Sequence, residues 1–124
     1  MGRKTWSIVL ALLVALVMIA SGIGHLTTPD QFVPLVPPVL PAGLVIAATG
    51  VLQIAIGLAA LWPGTRKWAG LAFAALCLAY LPLHLWDFVR PDPFFASPVA
   101  ATVRVVVQLL FIAAGRQLWR IADA

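Results

Sequence analysis

The stretch LVIAATGVLQIAIGLAALW, residues 44–62, decides the fold of this chain. It contains no charged side chain, and its polar side chains are one threonine, one glutamine and the indole at its end. A helix rises about 1.5 Å per residue, so a run of this length crosses most of the roughly 30 Å hydrocarbon core of a bilayer. The stretch therefore predicts a membrane-spanning helix.

Three further apolar runs of similar length lie at residues 6–26, 67–86 and 99–119. Apolar residues make up 63% of the 124 residues and charged residues only 10%. A soluble domain has about a quarter of its residues charged, so this chain cannot cover its surface with polar groups in water. The sequence predicts one transmembrane domain over residues 1–124, an all-α up-down bundle of four helices with a Pro-rich outer loop at residues 27–43.

The distribution of basic residues predicts the orientation. Six of them fall on one side of a four-pass topology, namely Arg3, Lys4, Arg66, Lys67, Arg116 and Arg120. The other side mixes three acidic residues with Arg90 and Arg104. The positive-inside rule then puts both termini in the cytoplasm, and we expect a multi-pass protein of the bacterial inner membrane. Tryptophans at the ends of the runs agree with an interfacial aromatic belt.

Several other classes of protein are disfavoured. The net charge of +4 does not indicate nucleic-acid binding, because the basic residues come in ones and twos rather than as a stripe. Cys77 is the single cysteine, so neither an intramolecular disulfide nor a Cys-x-x-Cys pair exists. The first run has features of a signal peptide, but it continues to Leu26, which favours a membrane span.

Small residues predict where the helices approach one another. They recur along one face of the second run, at Gly43, Ala47, Gly50 and Gly57, and in the third run at Ala72, Ala75 and Ala79. Small side chains let helix backbones come close in lipid, where apolar surface alone drives little association.

Two amides lie near the expected midplane. Gln53 is about 13 Å below the outer end of the second run, and Gln108 about 15 Å below that of the fourth. Because an amide in hydrocarbon needs a partner, we expect both to face the interior as a polar pair, hydrogen-bonded to each other or to a bound molecule.

Four other polar residues are expected near the outer mouth of the bundle, His25, His84, Asp87 and Arg104. Asp87 and Arg104 should lean toward each other, because helical side chains point toward the helix N-terminus. Two alternatives stay open: Arg104 snorkels to the surface, and His25 caps its own helix. The spacing is not a metal motif, so we predict no metal site. We expect these residues to form a binding pocket beneath the Pro-rich loop.

Three segments resemble the DoxX-like family of small four-helix membrane proteins. They are SGIGHLTTPDQFVPLVPPVLP, TGVLQIAIGLAALWPGTRKWAG and RVVVQLLFIAAGRQLW. The family's Gly-x-x-His and Pro-rich loop correspond to Gly22, His25, Pro29, Phe32, Pro37 and Pro41, and its Arg-x-x-x-Gln to Arg104 and Gln108. Its frequent Gly-x-x-Glu becomes Gly50 and Gln53, which removes a titratable group from the midplane. The family is named from a subunit associated with quinone-linked sulfur oxidation. The resemblance implies a four-helix fold and a membrane location.

These features predict a binding or partner subunit. Its ligand or partner would be a quinone, a lipid or another membrane protein, and a homo-oligomer is also compatible with the pattern. We expect no catalytic activity of its own and no bound cofactor, because no nucleophile, metal cluster or cysteine pair is evident. The alternative is a small transporter of hydrophobic or cationic compounds, which the first run does not favour because it has no acidic residue.

Overall fold

A computed structural model describes residues 2–122 of the chain. It has four α-helices, α1 (Arg3–Thr27), α2 (Ala42–Leu61), α3 (Arg66–Trp86) and α4 (Pro98–Ile121), and within residues 2–122 no strand. A 3-10 helix (Pro29–Leu35), called the lid helix below, lies between α1 and α2. All four α-helices are long and apolar enough to cross a membrane, which confirms the predicted all-α membrane bundle.

The helix boundaries follow local chemistry. The observed helices start one to three residues before the predicted runs. Arg3 and Arg66 are the first residues of α1 and α3, whereas α2 begins at Ala42 and α4 at Pro98. Ser97 caps α4 through its side chain, which accepts the N–H of Ala100, and Pro98 follows as the first helical residue. In the lid helix, Pro34 lacks a backbone donor, which favours short i→i+3 turns over a continuous α-helix.

The bundle consists of two tightly packed hairpins, α1 with α2 and α3 with α4, which contact each other less extensively. Glycines set the close approach within each hairpin. A Cβ atom at Gly22 would lie 2.6 Å from the carbonyl oxygen of Gly50, and one at Gly115 would lie 2.7 Å from that of Gly70. The helices therefore cross with their backbones almost touching.

The prediction of small packing residues was partly wrong. Gly50 and Gly57 are buried against α1, but Gly43 has no heavy atom within 4 Å of its Cβ position. Ala47, Ala75 and Ala79 are exposed. Spacing along one helix does not show which small residues meet a partner, because the crossing point depends on both helices. The close contacts at Gly22, Gly70 and Gly115 were not predicted from the sequence.

Both described ends of the chain lie at one end of the bundle. Arg3 donates from Nε to the carbonyl of Ile121 at 2.9 Å, which fastens the start of α1 to the end of α4. Arg66 donates from Nε to the carbonyl of Ala60 at 3.0 Å and from Nη2 to that of Leu61 at 3.1 Å. These arginines satisfy carbonyl groups at helix C-termini, which have no partner within the helix. The predicted position of the termini also concerns residues 1, 123 and 124, which lie outside the described residues.

Packing differs between the two halves of the bundle. The hydrophobic core fills the half near the chain ends, where Val14, Phe73 and Leu118 are fully buried. Large apolar side chains such as Leu16 (70% exposed) and Leu44 (69%) point outward, as a lipid-facing surface requires. The other half, called the lid end below, carries the lid helix and the 87–97 connection, and it contains a cavity.

Candidate functional site

The lid end encloses a cavity of about 380 Å³ between the two hairpins. All four α-helices and the lid helix contribute to its wall. Apolar residues such as Met18, Ile46 and Phe111 form much of the lining, and the polar residues in the wall are Ser21, His25, Thr49, Gln53, Tyr80, His84, Arg104 and Gln108. A mostly apolar cavity with a few polar groups, within the range of about 300–1,000 Å³, is typical of small-molecule sites.

The two midplane amides both line this cavity, but they are not bonded to each other. Gln53 donates from Nε2 to the Tyr80 hydroxyl at 2.9 Å, and Gln108 donates from Nε2 to the Cys77 carbonyl at 2.9 Å. Both side chains are buried, with 1% and 7% of their surface exposed. The predicted hydrogen bond between them is therefore absent, because α3 lies where it can supply each amide with its own partner.

His25 and His84 form part of the cavity wall nearer the lid. His25 Nδ1 lies 2.7 Å from the Ser21 carbonyl, which can only accept, so this nitrogen carries the proton. Its ring stacks on Phe32 of the lid helix with centroids 4.0 Å apart. His25 thus connects α1 to the lid. His84 is buried, and its Nδ1 has no hydrogen-bond partner within residues 2–122.

Asp87 does not line the cavity, and the predicted Asp87–Arg104 pair is not formed. The Asp87 carboxylate accepts the backbone N–H groups of Phe94 at 2.6 Å and Phe95 at 2.9 Å. It is buried, with 3% of its surface exposed. Both carboxylate oxygens therefore hold the 87–97 connection against the end of α3. Sequence spacing could not show this, because the partners are backbone groups of an irregular segment.

Arg104 contacts two aromatic rings and forms no ion pair within residues 2–122. Its guanidinium carbon lies 5.0 Å from the centre of the Phe95 ring and 5.8 Å from that of Phe94. Its Nη1 atom is buried and without a hydrogen-bond partner in the described part of the chain. Arg104 lines the cavity rather than only snorkelling to the surface. Asp87 thus acts on Arg104 through its charge, without a direct contact, and through the two rings that its carboxylate positions.

The lid helix forms the roof of the cavity, through Phe32 and Leu35. Arg90 holds it in place: its Nη1 donates to the Pro34 carbonyl at 2.6 Å, and its guanidinium stacks on Trp86 at 4.2 Å. Arg90 also pairs with Asp92 at 3.7 Å, the one ion pair within residues 2–122. This role of Arg90 was not predicted from the sequence, because its main partner is a carbonyl 56 residues away.

Three of the four residues predicted for the outer pocket and both predicted amides thus line one cavity, and Asp87 does not. His25, His84 and Arg104 lie one helical turn nearer the lid than the layer formed by Gln53, Tyr80 and Gln108. Tyr80 was missed, although it precedes His84 by four residues on the same helical face. Across residues 2–122, no three His, Cys, Asp or Glu side chains come close enough to hold a metal ion.

Three polar atoms on residues that line the cavity are buried and have no hydrogen-bond partner within residues 2–122. They are Gln53 Oε1, His84 Nδ1 and Arg104 Nη1. Buried polar groups are almost always hydrogen-bonded, to protein or to ordered water. Three residues beside one cavity therefore have unused hydrogen-bonding capacity.

These features define a four-helix membrane protein with an interhelical cavity. Its chain belongs to the family described as "Domain of unknown function (DUF8561)", whose model matches residues 14–119. The match includes all the polar residues of the cavity wall. No curated protein and no solved structure matches the chain.

Proposed function

We propose that this protein is a binding subunit of the membrane, which takes a small amphipathic molecule into the cavity beneath the lid helix. The observation that carries the proposal is the set of three buried, unpartnered polar atoms on Gln53, His84 and Arg104, which are residues of a mostly apolar cavity wall. Leaving such groups without partners inside a bilayer costs free energy. A bound molecule with both apolar and polar parts would recover that cost.

We also propose a location and an orientation for this protein. The lid end faces outward in the bacterial inner membrane, and both termini face the cytoplasm. Lys and Arg residues at the other end support this orientation through the positive-inside rule. Two of them, Arg3 and Arg66, also bind helix-terminal carbonyls, so their position has a structural reason as well.

The cavity favours a small molecule over a protein partner. An amphipathic ligand fits a concave, roofed site, whereas a membrane-protein partner would bind the exposed helix faces. The resemblance to the DoxX-like family adds a quinone to the ligands worth testing, beside single-chain lipids. We propose no catalytic activity, since the cavity wall offers hydrogen-bonding groups rather than an activated nucleophile.

Transport of hydrophobic or cationic compounds is the weaker alternative. A carrier of cations would need an acidic group in its cavity, and no Asp or Glu of the described chain contributes to the wall. Arg104, which does contribute, would repel a cation.

A cavity-filling substitution tests the proposal. Thr49 lines the cavity, whereas Thr102 is exposed on α4, and each donates to the carbonyl four residues before it. Thr49→Phe should fill the cavity and Thr102→Phe should not, so they form a matched pair. The experiment follows the thermal stability of each purified protein in a neutral detergent with short-tailed quinones and with single-chain lipids.

A ligand should stabilise the original protein and the Thr102→Phe variant, but not the Thr49→Phe variant. Monodisperse elution of Thr49→Phe would show that it folds. Equal stabilisation of all three proteins would contradict binding in the cavity, and so would no stabilisation by any compound.

A further inference from the structure

Within residues 2–122 no carboxylate forms an ion pair with Arg104, although Asp87 lies near enough to act on its charge. The carboxylate nearest in the fold, Asp87, is occupied by the N–H groups of Phe94 and Phe95. The other acidic residue at the 87–97 connection, Asp92, pairs with Arg90. A guanidinium cannot lose its proton at ordinary pH, so the charge remains in the wall.

The contacts of Arg104 leave its Nη1 atom without a hydrogen-bond acceptor within residues 2–122. The Phe94 and Phe95 rings act on the guanidinium as cation–π partners. Such rings offer no lone pair in the plane of the N–H groups, and Nη1 is buried without an acceptor among residues 2–122. His84 Nδ1 is a second buried nitrogen without a hydrogen-bond partner among residues 2–122, and only 7% of the His84 surface is exposed.

We infer that the cavity binds a single-chain anionic amphiphile, with its carboxylate on Arg104 and His84 and its alkyl chain toward Met18 and Phe111. This inference rests on the proposed function, because it names the chemistry of the ligand in the same cavity. The planar fork of a guanidinium matches a carboxylate, which can accept two parallel hydrogen bonds. A carboxylate also carries the single negative charge that one arginine balances.

The size of the cavity fits a single chain. One water molecule takes up about 30 Å³ in the liquid. If each non-hydrogen atom of a ligand needs a similar volume, the cavity holds on the order of a dozen such atoms. A saturated carboxylate with a ten-carbon chain has about that size, whereas a two-chain lipid is far larger. The apolar side chains of Val17, Met18 and Phe111 line the wall beyond the polar groups and suit an alkyl chain.

Decanoate and decanol form a matched pair of probes, because they share a chain and differ in charge. Their saturable binding is measured with radiolabelled compounds at neutral pH, on the full chain in phosphatidylcholine nanodiscs, with empty nanodiscs subtracted. The variants are Arg104→Gln, Arg104→Lys and, as a matched control, Arg116→Gln. Arg116 is exposed near the opposite end of the bundle.

Decanoate should bind more tightly than decanol, and Arg104→Gln should weaken decanoate binding on the order of tenfold. Decanol binding should change less than about twofold, because it lacks the charge that Arg104 contacts. Arg104→Lys should restore part of the affinity for decanoate, since it keeps the charge but loses the fork. Arg116→Gln should bind both compounds like the original protein.

The outcomes separate the two proposals. Equal binding of decanol and decanoate, unchanged by Arg104→Gln, would overturn the anionic ligand and leave the cavity as a binding site. Absence of saturable binding by both compounds would overturn the anionic amphiphile. If the quinones and single-chain lipids also failed to stabilise the protein, the binding function itself would be contradicted.

Discussion

The Asp87 carboxylate accepts the backbone N–H of Phe94 at 2.6 Å, and this contact rather than an ion pair explains its burial. The second oxygen accepts the N–H of Phe95. Asp87 therefore organises the 87–97 connection, and the connection supplies the rings beneath Arg104.

Replacing Asp87 should destabilise the protein with little dependence on Arg104. Asp87→Ala leaves two N–H groups without their acceptor, and we expect a loss of about 1–3 kcal/mol in the free energy of unfolding. A double-mutant cycle with Arg104→Gln in detergent should give a coupling energy below about 1 kcal/mol. A buried ion pair would instead cost roughly 3–5 kcal/mol when broken. A coupling energy of that size would support the predicted ion pair between Asp87 and Arg104.

Gly70 should not tolerate a methyl group, whereas Gly43 should. A Cβ at Gly70 would lie 2.8 Å from the Gly115 carbonyl oxygen and 2.9 Å from the Trp119 nitrogen, which are backbone atoms. Gly70→Ala should therefore separate α3 from α4 and cost about 1–3 kcal/mol of stability. Gly43→Ala meets open space and should be neutral or slightly stabilising. Thermal unfolding in detergent compares the two, and equal midpoints would show that the hairpin is not packed at Gly70.

The lid helix should open when Arg90 is replaced. Arg90→Gln removes the guanidinium from the Pro34 carbonyl and from Trp86. Loss of a charged hydrogen bond of about 1.5 kcal/mol or more would raise the open population on the order of tenfold. Cys77 is a suitable reporter, because it is the single cysteine, it is buried, and it lines the cavity.

The measurement for the lid is the rate at which a small thiosulfonate reagent modifies Cys77. The rate should rise in Arg90→Gln and stay unchanged in Arg120→Gln, which alters an exposed arginine at the opposite end. A rate that is the same in both variants would mean that Arg90 does not control access to the cavity.

Gln53 and Gln108 should contribute to stability independently. Each amide donates to a different group of α3. The double variant Gln53→Leu with Gln108→Leu should therefore lose as much unfolding free energy as the two single variants together, within about 0.5 kcal/mol. The single effects should be small, because measured hydrogen bonds inside membranes average about 0.6 kcal/mol. Unfolding in detergent measures all three variants. A coupling above about 1 kcal/mol would indicate that the amides bind each other or share a bridging molecule.

The topology prediction is tested by reporter fusions. Fusions in the 62–65 turn and after Ala122 should both report the cytoplasm, because both positions lie at the end that carries the basic residues. A fusion in the lid region at Pro38, which is exposed, should report the outside. The reverse pattern would show the opposite orientation, with the lid helix on the cytoplasmic side.

The sequence by itself determined the number of spans, their approximate bounds and their polar content. Length and hydropathy suffice for this, because a chain in lipid must satisfy its backbone hydrogen bonds within each helix. The rise of a helix also predicted two polar groups in neighbouring layers, and the five residues Gln53, Gln108, His25, His84 and Arg104 do line one cavity.

Only the tertiary structure decided which groups meet. The Asp87 carboxylate accepts backbone N–H groups of an irregular connection. Gln53 donates to the Tyr80 hydroxyl, and Arg90 donates to the Pro34 carbonyl. Side-chain spacing within one helix carries no information on such partners, because the rotation and crossing point of each helix depend on its neighbours. The cavity exists for the same reason: the glycines draw each hairpin together, and the space between the hairpins stays open beneath the lid helix.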